Sequence, residues 1–351
     1  MKNKLEKIKE ILVSNNCDGY IVTNNSDILY LSGIKSSNII LLITLDNSYV
    51  LSDARYKFVI ERQNVYKPYC ITKPIIESVT ELICDLGLKK VIIDPEHISH
   101  KNYMKIFKSV NLYDLSSVTK SLRIIKDNQE IDSIIKAQKI SEKAFFATLK
   151  FIKEGMTTKE ISAYLDYKMS EYGSEENAFS TIVVNEEESA DCHGVPSDKK
   201  VKNGDLILFD FGATKNGYRN DITRTVALGY INKEKKKMYD LVLEAHKKCA
   251  EFLKPGVKCH EVHNIAVEVF KKYGVLDNFL HSLGHGVGID IHEYPALNSK
   301  CEDVLEEGMV VTIEPGLYFE NKFGIRIEDT YIITNNGCKS IANIEKSLVT
   351  I

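Results

Sequence analysis

The sequence predicts a two-domain fold, in which an α/β domain precedes a larger α+β domain with internal pseudo-two-fold symmetry. The length of 351 residues corresponds to two domains when a domain has roughly 150 residues. Strand-like and helix-like segments alternate in the first third of the chain, which is typical of an α/β domain. The helices of the remaining part repeat at a fixed spacing, which indicates an internal duplication.

Composition indicates a globular protein and excludes several classes of function. Hydrophobic residues make up 44% and charged residues 27% of the chain, which is near the average for soluble proteins. With 46 Lys and Arg against 49 Asp and Glu, the chain lacks the basic excess of proteins that bind nucleic acid or anionic membranes. Its aliphatic runs, such as residues 39–43, are far shorter than the roughly 18 apolar residues of a membrane span.

The cellular location is predicted from the N-terminal segment and the cysteines. Residues 1–20 alternate charge with Ile and Leu at helical spacing and carry no small-residue cleavage site, so no secretory signal is expected. The eight cysteines are scattered without a CxxC pair, which fits a reducing compartment better than a disulfide framework. These features predict a cytoplasmic protein.

The elements of the first domain are predicted from short aliphatic runs bounded by turn residues. Asp53 is placed to cap a helix, Gly87 to end one, and Asp94-Pro95 to end a strand. The predicted strands are residues 18–23, 39–45, 48–51 and 90–93, and the predicted helices are residues 54–62 and 75–86.

A domain boundary is predicted near residues 121–127, where Asp127 and Glu130 have the spacing of a capping box that opens a long helix. Thr157 and Glu160 have the same spacing and open a second helix. The predicted domains are residues 1–122 and 123–351, and the helices of the second are residues 128–151, 157–173, 235–253 and 261–273.

These helices repeat without gaps after a shift of 101 positions, which carries Phe151 onto Phe252. The other matched pairs are Lys153 and Lys254, Gly155 and Gly256, Glu160 and Glu261, and Tyr172-Gly173 and Tyr273-Gly274. Amphipathic helix pairs resemble one another by chance, but these matches include both helix-ending glycines. The period is far too long for a solenoid, so we expect two halves with a site at their junction.

Asp210 interrupts an apolar run over residues 206–211 that is typical of a buried strand. A buried carboxylate is costly unless it is protonated, paired or bound to metal. The turn residues 215–217 predict a hairpin, after which the chain returns with Asp221 close to Asp210. A divalent cation would relieve the repulsion between the two carboxylates. The alternative places one Asp in the turn and pairs the other with Arg224.

Two further strands each offer a carboxylate to the interior of the second domain. Period-two alternation places Thr312 and Glu314 on one face of the strand over residues 309–314. The same alternation places Arg326 and Glu328 on one face of a later strand. Either glutamate alone would more often be a solvent-facing residue, because acidic side chains mostly lie on surfaces.

Histidines cluster in residues 281–292, which hold His281, His285 and His292 although the whole chain has nine histidines. Glycines at positions 284, 286 and 288 surround His285 and would let the backbone approach a ligand closely. The alternative is a flexible loop with surface histidines. His193 stands in a turn-rich stretch before the Asp210 strand, where an ordinary loop histidine is the alternative.

Four carboxylates and one imidazole form a donor set for divalent metal ions. Oxygen-rich ligation favours Mn²⁺, and Co²⁺, Fe²⁺ or Zn²⁺ are also compatible with it. Four carboxylates exceed what a single hydrolytic ion usually needs, so we expect two ions about 3.5–4 Å apart with bridging carboxylates. The candidate donors are Asp210, Asp221, His285, Glu314 and Glu328.

The order of these motifs resembles that of the pita-bread metallopeptidases, which include aminopeptidase P, prolidase, methionine aminopeptidase and creatinase. The resemblance covers essentially the whole chain, and the combined spacing is specific although each motif alone is weak. Residues 30–33 and 53–56 are similar to the creatinase-type N-terminal domain of the Xaa-Pro branch, and residues 122–131 resemble its junction. The resemblance implies a creatinase-like first domain and a pita-bread catalytic domain.

The resemblance implies a role for each donor. Asp210 would chelate one metal ion, while Asp221 and Glu328 would bridge both ions. His285 and Glu314 would complete the coordination of the second ion.

Catalytic and pocket residues are carried over in the same way. Glu314 would relay a proton to the leaving nitrogen. His193 and His292 would hydrogen-bond the substrate and the tetrahedral intermediate. His281 and Arg326 match positions in the substrate pocket or behind the ligands.

The implied reaction is hydrolysis of the bond between an N-terminal residue and proline in a short peptide. The proline amide has no N–H, so the site must recognise the shape of the ring. Prolidases often place an arginine after the His-Glu-aromatic-Pro sequence, but Ala296 follows His292-Glu-Tyr-Pro295 here. We therefore expect an Xaa-Pro aminopeptidase; the alternative is an Xaa-Pro dipeptidase (prolidase), in which Arg326 would meet the substrate carboxylate.

Further expectations concern assembly and the cavity mouth. The resemblance implies a homodimer whose N-terminal domains narrow access to short peptides. Residues 186–188 are all Glu, where family members often carry small residues. This stretch would either attract the ammonium group of the substrate or form a solvated acidic loop.

Three rival functions share parts of the pattern. A methionine aminopeptidase has the same ligands but usually lacks the N-terminal domain, and a creatine-hydrolysing relative has the fold but needs no metal. A non-catalytic peptide-binding module would keep the fold and generally lose ligands, whereas all five candidate donors are present here.

Overall fold

The structure is a computed structural model that describes residues 2–62, 64–116 and 118–351, so Met1, Gln63 and Ser117 lie outside the described residues. The chain separates into two compact units, of which the first ends at Arg123 and the second begins at Ile124. None of the helices in the described part of the chain is long and apolar enough to span a membrane.

The first unit is an α/β domain built on one mixed sheet. Its strands are β1 (Gly19–Val22), β2 (Ile39–Thr44), β3 (Ser48–Ser52), β4 (Lys67–Cys70), β5 (Lys90–Ile93) and β6 (Asn111–Asp114). They lie in the order β4-β3-β2-β1-β5-β6, with β2 antiparallel to β1 and β3 and the other neighbours parallel. Its helices are α1 (Lys2–Ser14), α2 (Asn25–Ser32), α3 (Lys57–Glu61), α4 (Ile75–Asp85), α5 (His100–Phe107) and α6 (Val118–Arg123).

Local signals explain the predicted elements of this unit. The β2–β3 turn is closed by the N–H of Thr44, which donates to the carbonyl of Asn47 at 2.8 Å. Asp53 caps the next turn by accepting the N–H of Arg55 at 3.0 Å. The helix predicted over residues 54–62 forms as a 3₁₀ turn followed by the short α3. Helices α2, α5 and α6 and strands β4 and β6 were not among the elements predicted from the sequence.

The second unit contains paired helices and two antiparallel sheets. Its helices are α7 (Asn128–Phe151), α8 (Thr158–Glu171), α9 (Lys233–Phe252) and α10 (Cys259–Lys272). Its strands are β7 (Ile182–Val184), β8 (Leu206–Phe211), β9 (Thr214–Lys215), β10 (Tyr218–Arg219), β11 (Ile222–Ala227), β12 (Gly284–Gly286), β13 (Glu293–Leu297), β14 (Val310–Ile313), β15 (Gly316–Phe319), β16 (Phe323–Arg326), β17 (Asp329–Thr334) and β18 (Gly337–Ser340). The sheets have the orders β11-β8-β7 and β13-β12-β14-β17-β18, and β9-β10 and β15-β16 are hairpins.

The helical repeat predicted from the sequence is present in the structure. The first residue of α10 lies 101 positions after the first residue of α8, and the last residues of the two helices have the same separation. Gly155 and Gly256 precede the two helices with φ angles of 87° and 88°, values that favour glycine. Glu160 accepts the N–H of Thr157 at 2.8 Å, and Glu261 accepts that of Lys258 at 2.9 Å. Each half therefore repeats one helix pair beside one sheet, which confirms the pseudosymmetric fold class.

The alternation along β8 decides which way Asp210 points. Phe209 and Phe211 pack against Phe145 of α7, each with a ring-centroid distance of 5.5 Å. Successive side chains of a strand point to opposite faces, so Asp210 projects away from this aromatic core. Packing on one face of β8 therefore directs the carboxylate towards the other.

Candidate metal centre and active site

The return of the chain from β8 to β11 brings two aspartates together. The strands pair antiparallel with Asp210 opposite Thr223, and Asp221 immediately precedes β11. The connecting hairpin turns at Asn216 and Gly217, whose φ angles of 51° and 76° match a tight two-residue turn. Burial and then the charge of Asp210 raise the pKa of Asp221 well above its usual range.

The second sheet supplies the other candidate donors from neighbouring segments. His285 lies in β12, which pairs antiparallel with β14, and Glu314 directly follows β14. Glu328 directly precedes β17, which is the other neighbour of β14. The N–H of Glu328 donates to the carbonyl of Thr223 at 3.1 Å, so this glutamate is tied to the Asp221 strand.

The five candidate donors converge on one place. One ligand atom each from Asp221, His285 and Glu328 lies within 4.8 Å of the others. His285 Nε2 is 3.6 Å from Asp221 Oδ2 and 3.3 Å from Glu314 Oε1. Asp210, Asp221, His285 and Glu314 line a single cavity of about 420 Å³.

The electrostatics of this cluster favour a cation. Burial and neighbouring carboxylates raise the pKa of Glu328 well above its usual range, and burial raises that of Asp210. Burial alone would raise the pKa of Glu314, but the hydrogen bond and charge of His285 outweigh it and lower the pKa. Burial alone would lower the pKa of His285, but the hydrogen bond and charge of Glu314 raise it to about 9.

Unpaired oxygens show that the residues present fit a divalent metal. Within the described part of the chain, Asp210 Oδ1 and Glu328 Oε1 are buried oxygens without a hydrogen-bond partner. A buried oxygen in this state costs free energy unless another group satisfies it. Hard divalent cations prefer carboxylate oxygens, with imidazole as a compatible partner. The cluster can therefore hold metal ions.

Arg326 lies behind Asp210, and its guanidinium is engaged by protein groups. It donates from Nη2 to Asp210 Oδ2 at 2.6 Å and from Nη1 to the Tyr318 hydroxyl at 2.6 Å. It also donates from Nε to Thr223 Oγ1 at 3.1 Å. A contact from Arg326 to a substrate carboxylate would have to compete with these bonds.

The three candidate histidines outside the cluster line the same cavity. His281 Nε2 is 2.9 Å from the Tyr318 hydroxyl. The ring of His292 lies edge to face with that of His285, at a centroid distance of 4.3 Å. The side chain of His193 is exposed, and its backbone N–H donates to Asp191 Oδ1 at 2.9 Å.

The glycines around His285 serve strand packing. A Cβ at Gly284 would lie 2.1 Å from the carbonyl oxygen of Thr312, and one at Gly286 would lie 2.3 Å from that of Tyr294. Strand β12 runs between β13 and β14, so side chains there would collide with neighbouring backbone. The sequence suggested that these glycines let the backbone approach a ligand. In the structure, Gly284 and Gly286 let it approach the backbone of neighbouring strands.

The acidic stretch over residues 186–188 is held by protein partners. The partners are Lys235 for Glu186, Lys199 for Glu187 at 3.4 Å, and the Ser197 hydroxyl for Glu188. Glu186 and Glu187 line a separate polar cavity of about 460 Å³. These contacts favour a structural role over attraction of a substrate ammonium group.

Two features of the site have no signal in the sequence. Tyr318, which is 2% exposed, connects Arg326 with His281 but carries no charge that would single it out. Arg224 pairs with Asp329 at 2.7 Å, so the alternative in which it pairs with one of the two aspartates, Asp210 or Asp221, is not what the structure has.

A second group of possible ligands lies in the first unit. Ligand atoms of Asp94, Glu96 and His97 are within 4.8 Å of one another. Glu96 is exposed and forms an ion pair with Lys120 at 2.7 Å. That pairing neutralises the carboxylate, in contrast to the buried cluster of the second unit.

Comparison with known proteins agrees with this architecture. Residues 132–335 match the model of metallopeptidase family M24, and residues 4–125 match the creatinase/prolidase N-terminal domain. The chain belongs to metallopeptidase family M24. It is therefore a hydrolase with a creatinase-type first domain and a pita-bread catalytic domain, as the resemblance implied.

Individual relatives refine the comparison. The chain is 37% identical to an Xaa-Pro dipeptidase of Pyrococcus furiosus over 355 residues, with 99% of this chain and 100% of that protein covered. The structure of an Xaa-Pro dipeptidase from Bacillus anthracis has a TM-score of 0.96 at 31% identity, covering 100% and 99% of the two chains. That of an X-Pro aminopeptidase from Thermotoga maritima has a TM-score of 0.91 at 34% identity, covering 96% and 98%. The dipeptidase alternative is thus better supported than the aminopeptidase expected from the sequence.

Proposed function

We propose that this metallopeptidase hydrolyses Xaa-Pro dipeptides and uses two divalent ions bound in the carboxylate cluster. The convergence of Asp221, His285 and Glu328 ligand atoms within 4.8 Å carries the proposal. The full-length likeness to a protein named Xaa-Pro dipeptidase supports the substrate class. The proposed ligands are Asp210, Asp221, His285, Glu314 and Glu328, a set whose oxygen content favours Mn²⁺.

The side chains of the cavity suit the proton transfers that hydrolysis needs. Bound divalent ions would supply Lewis acidity at the scissile carbonyl and make the attacking water more acidic. The pKa of Glu314 is lowered in the metal-free protein, and bound cations would also favour the ionised form, so its carboxylate can accept a proton from that water. The same carboxyl group can pass the proton to the proline nitrogen, which has none of its own.

His193 and His292 would act on the substrate. Both line the cavity with exposed side chains. Each imidazole can donate a hydrogen bond to the carbonyl oxygen as negative charge develops there, which stabilises the transition state. His281 is held by Tyr318 and contributes to the wall of the cavity.

An Xaa-Pro aminopeptidase is the second candidate, and one observation favours it. Ala296 lines the cavity at the position where an arginine often stands in prolidases. Arg326, the other cationic group considered for a dipeptide carboxylate, is already bonded to Asp210 at 2.6 Å. A substrate whose proline is followed by another residue would not need a carboxylate partner there.

Hydrolysis rates for Ala-Pro and Ala-Pro-Ala, measured on Mn²⁺-loaded protein with a chelated control, distinguish the two candidates. The proposal predicts faster cleavage of Ala-Pro, and faster cleavage of Ala-Pro-Ala would establish the aminopeptidase instead. Activity on neither peptide with Mn²⁺, Co²⁺, Fe²⁺ or Zn²⁺ would overturn both. A Met-Ala-Ser control tests for methionine aminopeptidase activity.

An Ala296→Arg variant tests the same question from the side of the protein. If the carboxylate of a dipeptide lies beside position 296, the new guanidinium should lower KM for Ala-Pro and leave KM for Ala-Pro-Ala unchanged or higher. Metal content, measured alongside, should stay at the level of the parent protein.

The homodimer and the cytoplasmic location remain predictions. Sedimentation equilibrium of the purified chain tests whether it forms a homodimer.

A further inference from the structure

A buried ion pair lies behind two of the proposed ligands. Neighbouring residues of an extended chain point to opposite faces, so Thr223 and Arg224 of β11 diverge, as do Glu328 and Asp329 at the start of β17. On the ligand side, Thr223 Oγ1 donates to Glu328 Oε2 at 2.7 Å. On the other side, Arg224 Nη2 donates to Asp329 Oδ1 at 2.7 Å. The pair is thus adjacent to the proposed ligand Glu328 along β17, and along β11 it is adjacent to Thr223, whose hydroxyl bonds that ligand.

Arg224 uses every N–H of its guanidinium, although its side chain is 2% exposed. The acceptors are Glu345 O (from Nε, 3.2 Å), Thr223 O (Nη1, 2.9 Å), Glu328 O (Nη1), Ile344 O (Nη2, 2.9 Å) and Asp329 Oδ1 (Nη2, 2.7 Å). Nη1 therefore holds the carbonyls of Thr223 and Glu328 at the same time. The backbone N–H of Glu328 donates to Thr223 O as well, so both polar groups of the Glu328 backbone are fixed.

Asp329 anchors this arrangement from the other side. Its carboxylate is completely buried and also accepts the Ser340 hydroxyl at 2.8 Å and the ammonium group of Lys346. The next residue, Thr330, donates from Oγ1 to the carbonyl of Asp221 at 2.9 Å. The backbones of Asp221 and Glu328 are thereby joined through several bonds, none of which uses a ligand atom.

We infer that the Arg224–Asp329 pair is a positioning device that holds Glu328 against Asp221 and so sets the affinity of the metal site. The inference rests on the proposed function, because it takes these two carboxylates as ligands. Two carboxylates repel each other when no cation is present, so a rigid backbone must hold them at a separation that an ion can bridge. Partners of this kind behind metal ligands typically change affinity or activity by about 10–100-fold.

Two substitutions test the inference on the full-length chain. Arg224→Lys keeps the charge, but an ammonium group has three donors at one point and cannot reach all five acceptors. Asp329→Asn keeps the shape of the side chain and removes the charge. Titration of metal-free protein with Mn²⁺ by calorimetry should show a Kd raised by about tenfold or more in both variants. The exchange coupling between two bound Mn²⁺ ions, seen by electron paramagnetic resonance, should weaken in parallel.

A buried ion pair of the first unit provides the matched control. Arg123 Nη1 lies 3.0 Å from Asp27 Oδ1, and both side chains are about as buried as those of the Arg224–Asp329 pair. Arg123→Lys should lower the melting temperature in the same way as Arg224→Lys but leave the Kd for Mn²⁺ unchanged. Metal affinity therefore separates positioning from a general loss of stability.

The outcomes separate the inference about the Arg224–Asp329 pair from the proposed function. A folded Arg224→Lys variant that binds Mn²⁺ with the affinity of the parent would overturn the inference. Failure of the parent protein itself to bind Mn²⁺ would overturn the proposed function. If neither Arg224→Lys nor Asp329→Asn folds, Ser340→Ala removes one bond to Asp329 without leaving a buried charge unpaired, and it should raise the Kd by about twofold. An unchanged Kd in that variant would also overturn the inference.

Discussion

His246 of helix α9 is a buried imidazole that should make the stability of the second unit depend on pH. It is completely buried, with Nδ1 at 3.0 Å from the carbonyl of Ile327 and Nε2 at 2.9 Å from the hydroxyl of Tyr331. A carbonyl only accepts, so Nδ1 carries the proton and Nε2 accepts the hydroxyl. Burial lowers the pKa of His246 from 6.5 to about 4, so the ring is neutral in the folded protein at pH 7.

The sign and size of the effect follow from this difference in pKa. Between pH 6.5 and 4 the unfolded chain binds a proton at His246 that the folded chain does not bind. The free energy of unfolding therefore falls as the pH falls through this window, and the contribution is complete only above pH 6.5. Linkage with these two pKa values gives a loss of about 2 kcal/mol between pH 7 and pH 5.

The substitution His246→Gln removes the titrating group at similar size. At pH 7 the variant should be less stable than the parent by about 1–3 kcal/mol, because its buried partners Ile327 and Tyr331 are imperfectly satisfied. Between pH 7 and pH 5, however, it should lose about 2 kcal/mol less than the parent. Urea unfolding of metal-free protein, followed by circular dichroism, measures both quantities in a chain that has no tryptophan.

Comparison of the two proteins at each pH removes the contribution of the acidic cluster. The pKa values of Asp221 and Glu328 are raised in the folded state, so these carboxyl groups stabilise the fold as the pH falls, with a sign opposite to that of His246. The parent and the His246→Gln variant share this contribution of Asp221 and Glu328 to the free energy of unfolding. Equal losses of stability in parent and variant between pH 7 and pH 5 would refute the assignment of a depressed pKa to His246.

Three further substitutions test the site and its support. Asp221→Asn should raise the melting temperature of metal-free protein, because it removes a buried charge that Asp210 disfavours; scanning calorimetry measures this. The same substitution should abolish tight Mn²⁺ binding, which metal analysis checks. Glu314→Gln should lower kcat for Ala-Pro by about 10²-fold or more, in steady-state kinetics, through loss of the proton acceptor. Gly284→Ala would place a Cβ 2.1 Å from a backbone oxygen and should destabilise the fold by about 1–3 kcal/mol in urea unfolding. Gly337→Ala, whose Cβ would have 3.9 Å of clearance, is its near-neutral control.

Elements with local signals could be predicted from the sequence. The capping box of Asp127 and Glu130 starts α7 where the spacing predicts, because the atoms that stabilise the helix start lie within four residues. The turn at Asn216 and Gly217 is predictable for the same reason, since both residues tolerate positive φ angles. The candidate donors could also be proposed from the sequence: Asp210 interrupts an apolar strand, and strand alternation and the histidine cluster indicate the others.

The contacts that support the donors could not be predicted in this way. Arg224 and Asp329 are 105 positions apart, and Arg326 reaches Asp210 across 116 positions. Strand alternation indicates the face on which a side chain lies, but it does not select a partner on another strand. From the sequence, Arg224 was a possible partner for either Asp210 or Asp221, whereas the sheet geometry pairs it with Asp329.

The most direct test of the account is a titration of metal-free, full-length protein with Mn²⁺ while Ala-Pro hydrolysis is followed. The proposed site predicts that activity is absent in chelator, rises with added metal and reaches its plateau at two equivalents. Asp221→Asn should stay inactive throughout the same titration. Full activity in the presence of chelator, or a plateau that survives the loss of Asp221, would contradict the assignment of the carboxylate cluster as the catalytic metal site.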